Sequence, residues 1–201
     1  MVAIKVKLPI EQYLEVERRG GVRLEYHHGD LYAMAGGTIN HTTLCTNVSG
    51  ILLRETKRIN KGCRAFNSEM KVEIKEADKY VYPDATVVCG PVEESDTITG
   101  AIRNPVVVVE VVSKDSGDYD RGAKMRDYHS LPSVKEYLVI EQDRPSVSVF
   151  RRPGTGTLGH YDYADGMKDS LTLESIGITL RLEELYADVV FPDLPPLPQK
   201  R

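Results

Sequence analysis

Val106-Val107-Val108-Val109-Glu110-Val111-Val112 is the segment that most restricts what this chain can become. β-Branched residues favour extended backbone, and a run that is apolar at every position, not at alternate ones, marks a strand covered on both faces. Such a strand belongs at the centre of a sheet. Within it stands Glu110, and an unpaired carboxylate in that position would cost several kcal/mol. Three arrangements satisfy it: a bound cation, a buried ion pair with an arginine, or a strand end at Glu110 that lets the side chain reach water.

A second carboxylate gives the cation its weight. Asp84 follows Pro83 in Tyr82-Pro83-Asp84-Ala85-Thr86-Val87-Val88, at the start of another strand, where a proline is tolerated because no ladder hydrogen bond is needed. Alone, Pro-Asp reads as a turn dipeptide. Two carboxylates on adjacent strands, on one face, supply the hard oxygen ligands that Mg²⁺ or Mn²⁺ prefers, the remaining positions being left to water and a phosphate oxygen.

The rest of the chain alternates helical and extended patterns. Pro9 opens and Gly20-Gly21 close a short N-terminal helix that packs as a lid or arm. A hairpin follows around Gly29-Asp30. Thr38 or Asn40 caps a helix over 41–60, whose Leu44, Val48, Ile51, Leu52 and Ile59 share one side, and Gly62 ends it. Met70, Val72 and Ile74 alternate with lysines and a glutamate, and with 80–89 they predict a second hairpin around Glu76-Ala77-Asp78-Lys79. A loop over 90–104 leads into the valine strand. Then come a helix over 118–130, stopped by Leu131-Pro132, and strands over 136–141 and 147–152 around the turn at 142–145. The stretch 160–189 adds a strand or two and a short helix, and 192–198 form a proline-rich tail.

This order predicts an α/β (α+β) fold with a mixed central sheet flanked by helices. At 201 residues and 41% hydrophobic, the chain suits a single domain over 1–201, with an arm over 1–22, a core over about 23–152, and C-terminal strands and tail over 153–201. No apolar run approaches the ~20 residues that cross a bilayer, and the opening segment lacks a signal-peptide pattern, so a cytoplasmic location is expected.

The helix after the valine strand folds back over the sheet, which returns Lys124, in its early turns, toward the strand's C-terminal end. A surface lysine paired with Asp120 at i, i−4 would read the same way. The net charge of −4 excludes a general, charge-driven nucleic-acid binder but not a local basic face. Basic residues gather at Arg54, Lys57, Arg58, Lys61 and Arg64, and at Lys114, Arg121, Lys124 and Arg126, equally readable as two solvated helix faces. Cys45, Cys63 and Cys89 are odd in number and widely spaced, so they read as buried thiols with no disulfide framework. The histidines His27, His28, His41, His129 and His160 lack zinc-cluster spacing.

In family order, RLEYHHGDLYAMAGG, NHTTL, YPDATVV, VVVVEVVS, RGAKMRDYHSLPSVKEYLVI and VSVFRR run from Arg23 to Arg152. Together they resemble the Uma-type family of putative restriction endonucleases in the PD-(D/E)XK nuclease superfamily. The resemblance implies a restriction-endonuclease-like fold and a Mg²⁺-dependent endonuclease, Mn²⁺ being a substitute, that hydrolyses phosphodiester bonds, in DNA more than in RNA. It implies Asp84 and Glu110 as metal ligands and Lys124 as the motif's lysine. The superfamily's strand motif would put that lysine two residues after the acid, where this chain has Val112; the Uma-type pattern takes it from the following helix. Glu25 and His41 also match family positions, Glu25 as a ligand-orienting or second-metal carboxylate and His41 as a phosphate donor at a helix N-terminus. The plain readings, a hairpin residue and a capping residue, stand beside these, and Glu69 is a weaker candidate. The alternative function is a nuclease-fold module that binds nucleic acid, or assembles, with little or no catalysis. A hydrolase of small phosphate compounds is a third, without a glycine-rich phosphate loop to favour it. A homodimer is expected by analogy with enzymes that cut both strands.

Overall fold

A computed structural model describes residues 2–4, 7–19, 23–34, 37–113, 120–152 and 159–191. The valine segment forms strand β9 (Val107–Val112), every residue of it buried. It is flanked by β7 (Ala85–Cys89), antiparallel, and β10 (Glu136–Glu141), parallel. With β4 (Cys63–Asn67), β11 (Ser146–Arg151) and β12 (His160–Asp165), these give a six-stranded mixed sheet in the order β12-β11-β10-β9-β7-β4. The valine strand is thus interior, as its composition demands.

Alternation along β9 divides the core. Val107, Val109 and Val111 face helix α2 (Ile39–Ile59), whose Leu44, Val48, Ile51 and Leu52 form the other half of that layer. Val108 and Val112 face the opposite way, toward Val72, Ile74, Val81, Tyr128 and Leu131. Glu110 has the parity of the second set, and that layer contains the helix carrying Lys124. Thr38 caps α2, its Oγ1 accepting from the backbone N–H of His41, and Asn60, in the left-handed region, closes it two residues before Gly62.

A second six-stranded sheet, absent from the sequence expectation of one central sheet, packs against this one. It comprises β1 (Val2–Ile4), β2 (Leu24–His27), β3 (Asp30–Ala33), β5 (Lys71–Ile74), β6 (Lys79–Val81) and β8 (Ala101–Ile102), in the order β1-β3-β2-β6-β5-β8. Helix α1 (Ile10–Arg19) packs on this sheet: Tyr13 is fully buried against Tyr26 and Tyr80, and Lys71 pairs with Glu17. The β2–β3 turn is His28-Gly29, not Gly29-Asp30, both turn residues having positive φ (51° and 91°). This is the two-residue turn whose twist matches the flanking strands.

The segment 80–89 does not form one strand. It breaks at Tyr82-Pro83-Asp84, so that β6 pairs with β5 in one sheet while β7 pairs with β4 and β9 in the other. Pro83, without an N–H to donate, suits the crossing point. The pairing of β4 with β7 also overturns the cysteine expectation: Cys63 and Cys89 are opposite one another in the ladder and form a disulfide, leaving Cys45 as the free thiol. Their separation of 26 residues carries no trace of that opposition.

The expected helix over 118–130 is a π-helical turn, Asp120–Lys124, running into α3 (Met125–His129). After β12 the chain adds β13 (Ser170–Leu173) paired with β14 (Ile178–Arg181), and then α4 (Leu182–Leu185), one strand more than the sequence suggested. Buried Arg151 ties this part to the main sheet through Glu136, 3.1 Å away, and the Thr172 carbonyl. Gly20-Gly21, Gly36, Lys114, residues 118–119 of the expected helix and the proline-rich tail lie outside the described residues. No helix among those described is long and apolar enough to cross a membrane.

Candidate active site

The chain passes from one sheet to the other at Tyr82-Pro83-Asp84, and five of the residues singled out in the sequence converge there. The β7–β9 register pairs Ala85 with Val109, so Asp84, one residue earlier, stands level with Glu110. The backbone N–H of Val111 donates to Asp84 Oδ2 at 2.7 Å, fixing the carboxylate against the end of β9. Both acids are buried, at 7% and 4% exposure.

Lys124 is no surface lysine. It is 5% exposed, and its Nζ lies 2.8 Å from Glu110 Oε2 and 3.8 Å from Glu25 Oε1. Glu110 therefore has an ion pair, formed with a lysine where the sequence reading named an arginine. Glu25, on β2 of the other sheet, is buried and held from three directions. Its Oε1 accepts from the Tyr82 N–H at 3.0 Å, and its Oε2 lies 3.1 Å from His27 Nε2. Burial pushes the Glu25 carboxyl up, but the Lys124 charge, His27 and the Tyr82 N–H outweigh it and bring the pKa down to about 2.

His41 reaches the site from the first turn of α2, its Nε2 lying 3.5 Å from Asp84 Oδ1. For Asp84, too, burial opposes ionisation, and is outweighed by His41, the Val111 N–H and Lys124, which hold it below the ordinary carboxylate range. The His41 ring needs the absence of a side chain at residue 37: a Cβ on Gly37 would lie 2.5 Å from His41 Nδ1.

Two residues at the site were missed in the sequence. His27 is two positions after Glu25 on one strand, and Cys45 is four after His41 on one helix, so each shares a face with a residue already chosen. Those periodicities were the available signal. Cys45 Sγ is 3.5 Å from His41 Nδ1, and its thiol is pushed up, by burial first and then by the charge of Asp84. Glu69 is not brought in: it is exposed, lies in the turn between β4 and β5, and pairs with Arg23.

The residues fit a divalent cation. Three carboxylates (Glu25, Asp84, Glu110) face one ammonium (Lys124), so, the two imidazoles aside, three minus one leaves two negative charges in a buried setting. A doubly charged ion would balance them, and oxygen donors suit Mg²⁺ or Mn²⁺. The basic group of α2 does not share this position. Arg54 stands thirteen residues after His41, which places it ~20 Å farther along the helix. Arg54 pairs with Glu55 and Glu184, and Arg58 with Glu55.

A family model described as "Uma2: Putative restriction endonuclease" matches residues 10–183. The chain is 31% identical over 185 residues to the uncharacterized protein slr1290 of Synechocystis sp., covering 92% of this chain and 94% of that protein. It is 29% identical over 154 residues to the uncharacterized protein sll1609 of the same organism, covering 77% and 86%. Among solved structures, it is similar in fold to a putative nuclease belonging to DUF820 from Anabaena variabilis, with a TM-score of 0.67 and 15% identity over 83% of this chain and 91% of that one.

Proposed function

The chain belongs to the Uma2 family of putative restriction endonucleases, and from that premise we propose that it is a metal-dependent endonuclease hydrolysing phosphodiester bonds in DNA. The observation that carries the reading is the meeting of Asp84, Glu110 and Lys124 at the C-terminal end of the central strand. Asp84 and Glu110 hold Mg²⁺ or Mn²⁺. When bound, that ion supplies Lewis acidity toward a phosphate oxygen and lowers the pKa of water.

The protein's own groups do the rest. Lys124, held by Glu110 and Glu25, donates to the phosphate or orients the attacking water, and its charge acts strongly because its side chain is buried. His41 lies beside Asp84 and is the second candidate donor to a phosphate oxygen. Glu25 keeps the ammonium in position.

The test is cleavage of supercoiled plasmid, linear duplex and single-stranded RNA with Mg²⁺ or Mn²⁺. The wild type cuts DNA, and Asp84→Asn, Glu110→Gln and Lys124→Ala each lose at least about a hundredfold in rate. Equal cutting by wild type and all three variants would reject the site.

One observation favours a second reading, a nucleic-acid-binding module without catalysis: the cationic residues of α2 are far from the acids and largely engaged by Glu55 and Glu184. DNA retention without cleavage under any divalent ion would establish that reading. A homodimer, which would bring two sites to two strands, is the proposed assembly. A single sedimenting mass near 22.5 kDa at all concentrations rules it out.

A further inference from the structure

We propose that His41, Cys45 and Asp84 form a site for a thiophilic, borderline divalent ion, Zn²⁺ or Co²⁺, distinct in its donor set from the Asp84–Glu110 pair but sharing Asp84 with it. The inference deepens the metal site proposed above and rests on that reading only through the shared carboxylate.

The geometry is that of a partly assembled tetrahedron. The donor atoms of the three residues all lie within 4.8 Å of one another. His41 Nε2 is 3.5 Å from Asp84 Oδ1 and 3.9 Å from Cys45 Sγ. Bonds of about 2.0–2.2 Å to nitrogen and oxygen and 2.3 Å to sulfur give tetrahedral edges of roughly 3.3–3.6 Å, so the His41–Asp84 edge is already in range, while the imidazole must turn to bring Nε2 to the thiol, whose sulfur now lies nearer Nδ1, at 3.5 Å.

Local structure sets the spacing of the donors. His41 and Cys45 are one turn apart on α2, so the helix sets their spacing before any ion arrives. Thr38 fixes the start of that helix, and Gly37 leaves room for the imidazole ring. Asp84 is held from behind by the Val111 N–H. The fourth position falls to water, since His41 is about a third exposed (29% of its side chain).

Sulfur decides the ion. Mg²⁺ binds oxygen and keeps much of its water, whereas a thiolate with an imidazole and a carboxylate is a donor set for Zn²⁺ or tetrahedral Co²⁺. Such an ion deprotonates the thiol that it binds. Because it engages Asp84, it excludes Mg²⁺ from the carboxylate pair, and Zn²⁺ acts as an antagonist of the Mg²⁺-loaded protein.

Co²⁺ titration of the full chain, followed by absorption, tests this without any substrate. The wild type gives a thiolate-to-Co²⁺ charge-transfer band and intense tetrahedral visible bands at one equivalent, bleached by Zn²⁺. Cys45→Ser, a near-isosteric change checked by circular dichroism, loses the charge-transfer band, and His41→Gln binds at least tenfold more weakly. Absence of the band in the wild type, or its persistence in Cys45→Ser, overturns the three-residue site. The two proposals fail separately: a thiolate band without DNA cleavage rejects only the nuclease reading, and cleavage without the band rejects only this one.

Discussion

Lys124 Nζ lies 2.8 Å from Glu110 Oε2, and neither side chain is more than 6% exposed. A lysine from the helix after β9 thus provides the charge that makes a glutamate tolerable in a valine strand. Removing one partner of a buried pair leaves the other uncompensated, at a cost on the order of 3–5 kcal/mol. Lys124→Met should lose that much stability in urea denaturation. The double variant with Glu110→Gln should recover at least about 1 kcal/mol of it, as coupled neighbours do. Strict additivity of the two single changes would show that the pair is not coupled.

Metal binding should appear as stability. At a hundredfold excess over its dissociation constant, Mn²⁺ should stabilise the wild type by about 2.7 kcal/mol. Asp84→Asn and Glu110→Gln should bind little or none in calorimetric titration and show no such gain. A rise in unfolding temperature equal in all three proteins would place the ion elsewhere.

The pH dependence of the metal-free protein follows from Glu25. Folding lowers its pKa from 4.5 to about 2, so the unfolded chain takes up the proton more readily than the folded one. The resulting stabilisation is complete above the unfolded value and is lost as pH falls from about 4.5 toward 2. At 1.36 kcal/mol per pKa unit it amounts to about 3 kcal/mol at most. Glu25→Gln should flatten the acid limb of a stability-against-pH curve between pH 5 and pH 2, to be measured by denaturant titration at each pH. An unchanged slope would mean that Glu25 is not the group responsible.

Gly37→Ala tests how the imidazole is placed. The added methyl would meet His41 Nδ1 at 2.5 Å, so the ring must leave the position that sets Nε2 3.5 Å from Asp84 Oδ1. A support of this kind is worth roughly 10–100-fold in metal affinity. We expect a loss of that size in a Co²⁺ titration with little change in unfolding temperature. Wild-type affinity would show that the ring accommodates the methyl.

The cross-strand disulfide predicts a thiol count. Unfolded without reductant, the protein should titrate one thiol, Cys45, and after reduction three. Reduction should cost about 2–4 kcal/mol of stability, as for loops of this length. Three thiols in the unreduced protein would remove the disulfide from the account.

What the sequence determined by itself is what short-range rules govern. A run of valines marks a covered strand, Thr38 or Asn40 caps the start of α2, and Pro83 suits the first residue of a strand. The same rules made Glu110 conspicuous, because a charge inside an apolar run is an anomaly visible without coordinates. Tertiary structure decided whatever depends on which distant segments meet. The pairing of β4 with β7 set Cys63 against Cys89, and the crossing at Pro83 split one predicted strand between two sheets. Glu25 and His27 joined the site from the second sheet. No local signal encodes these outcomes. Periodicity tells which face of an element is buried, but the partner of that face is selected by the packing of the whole chain.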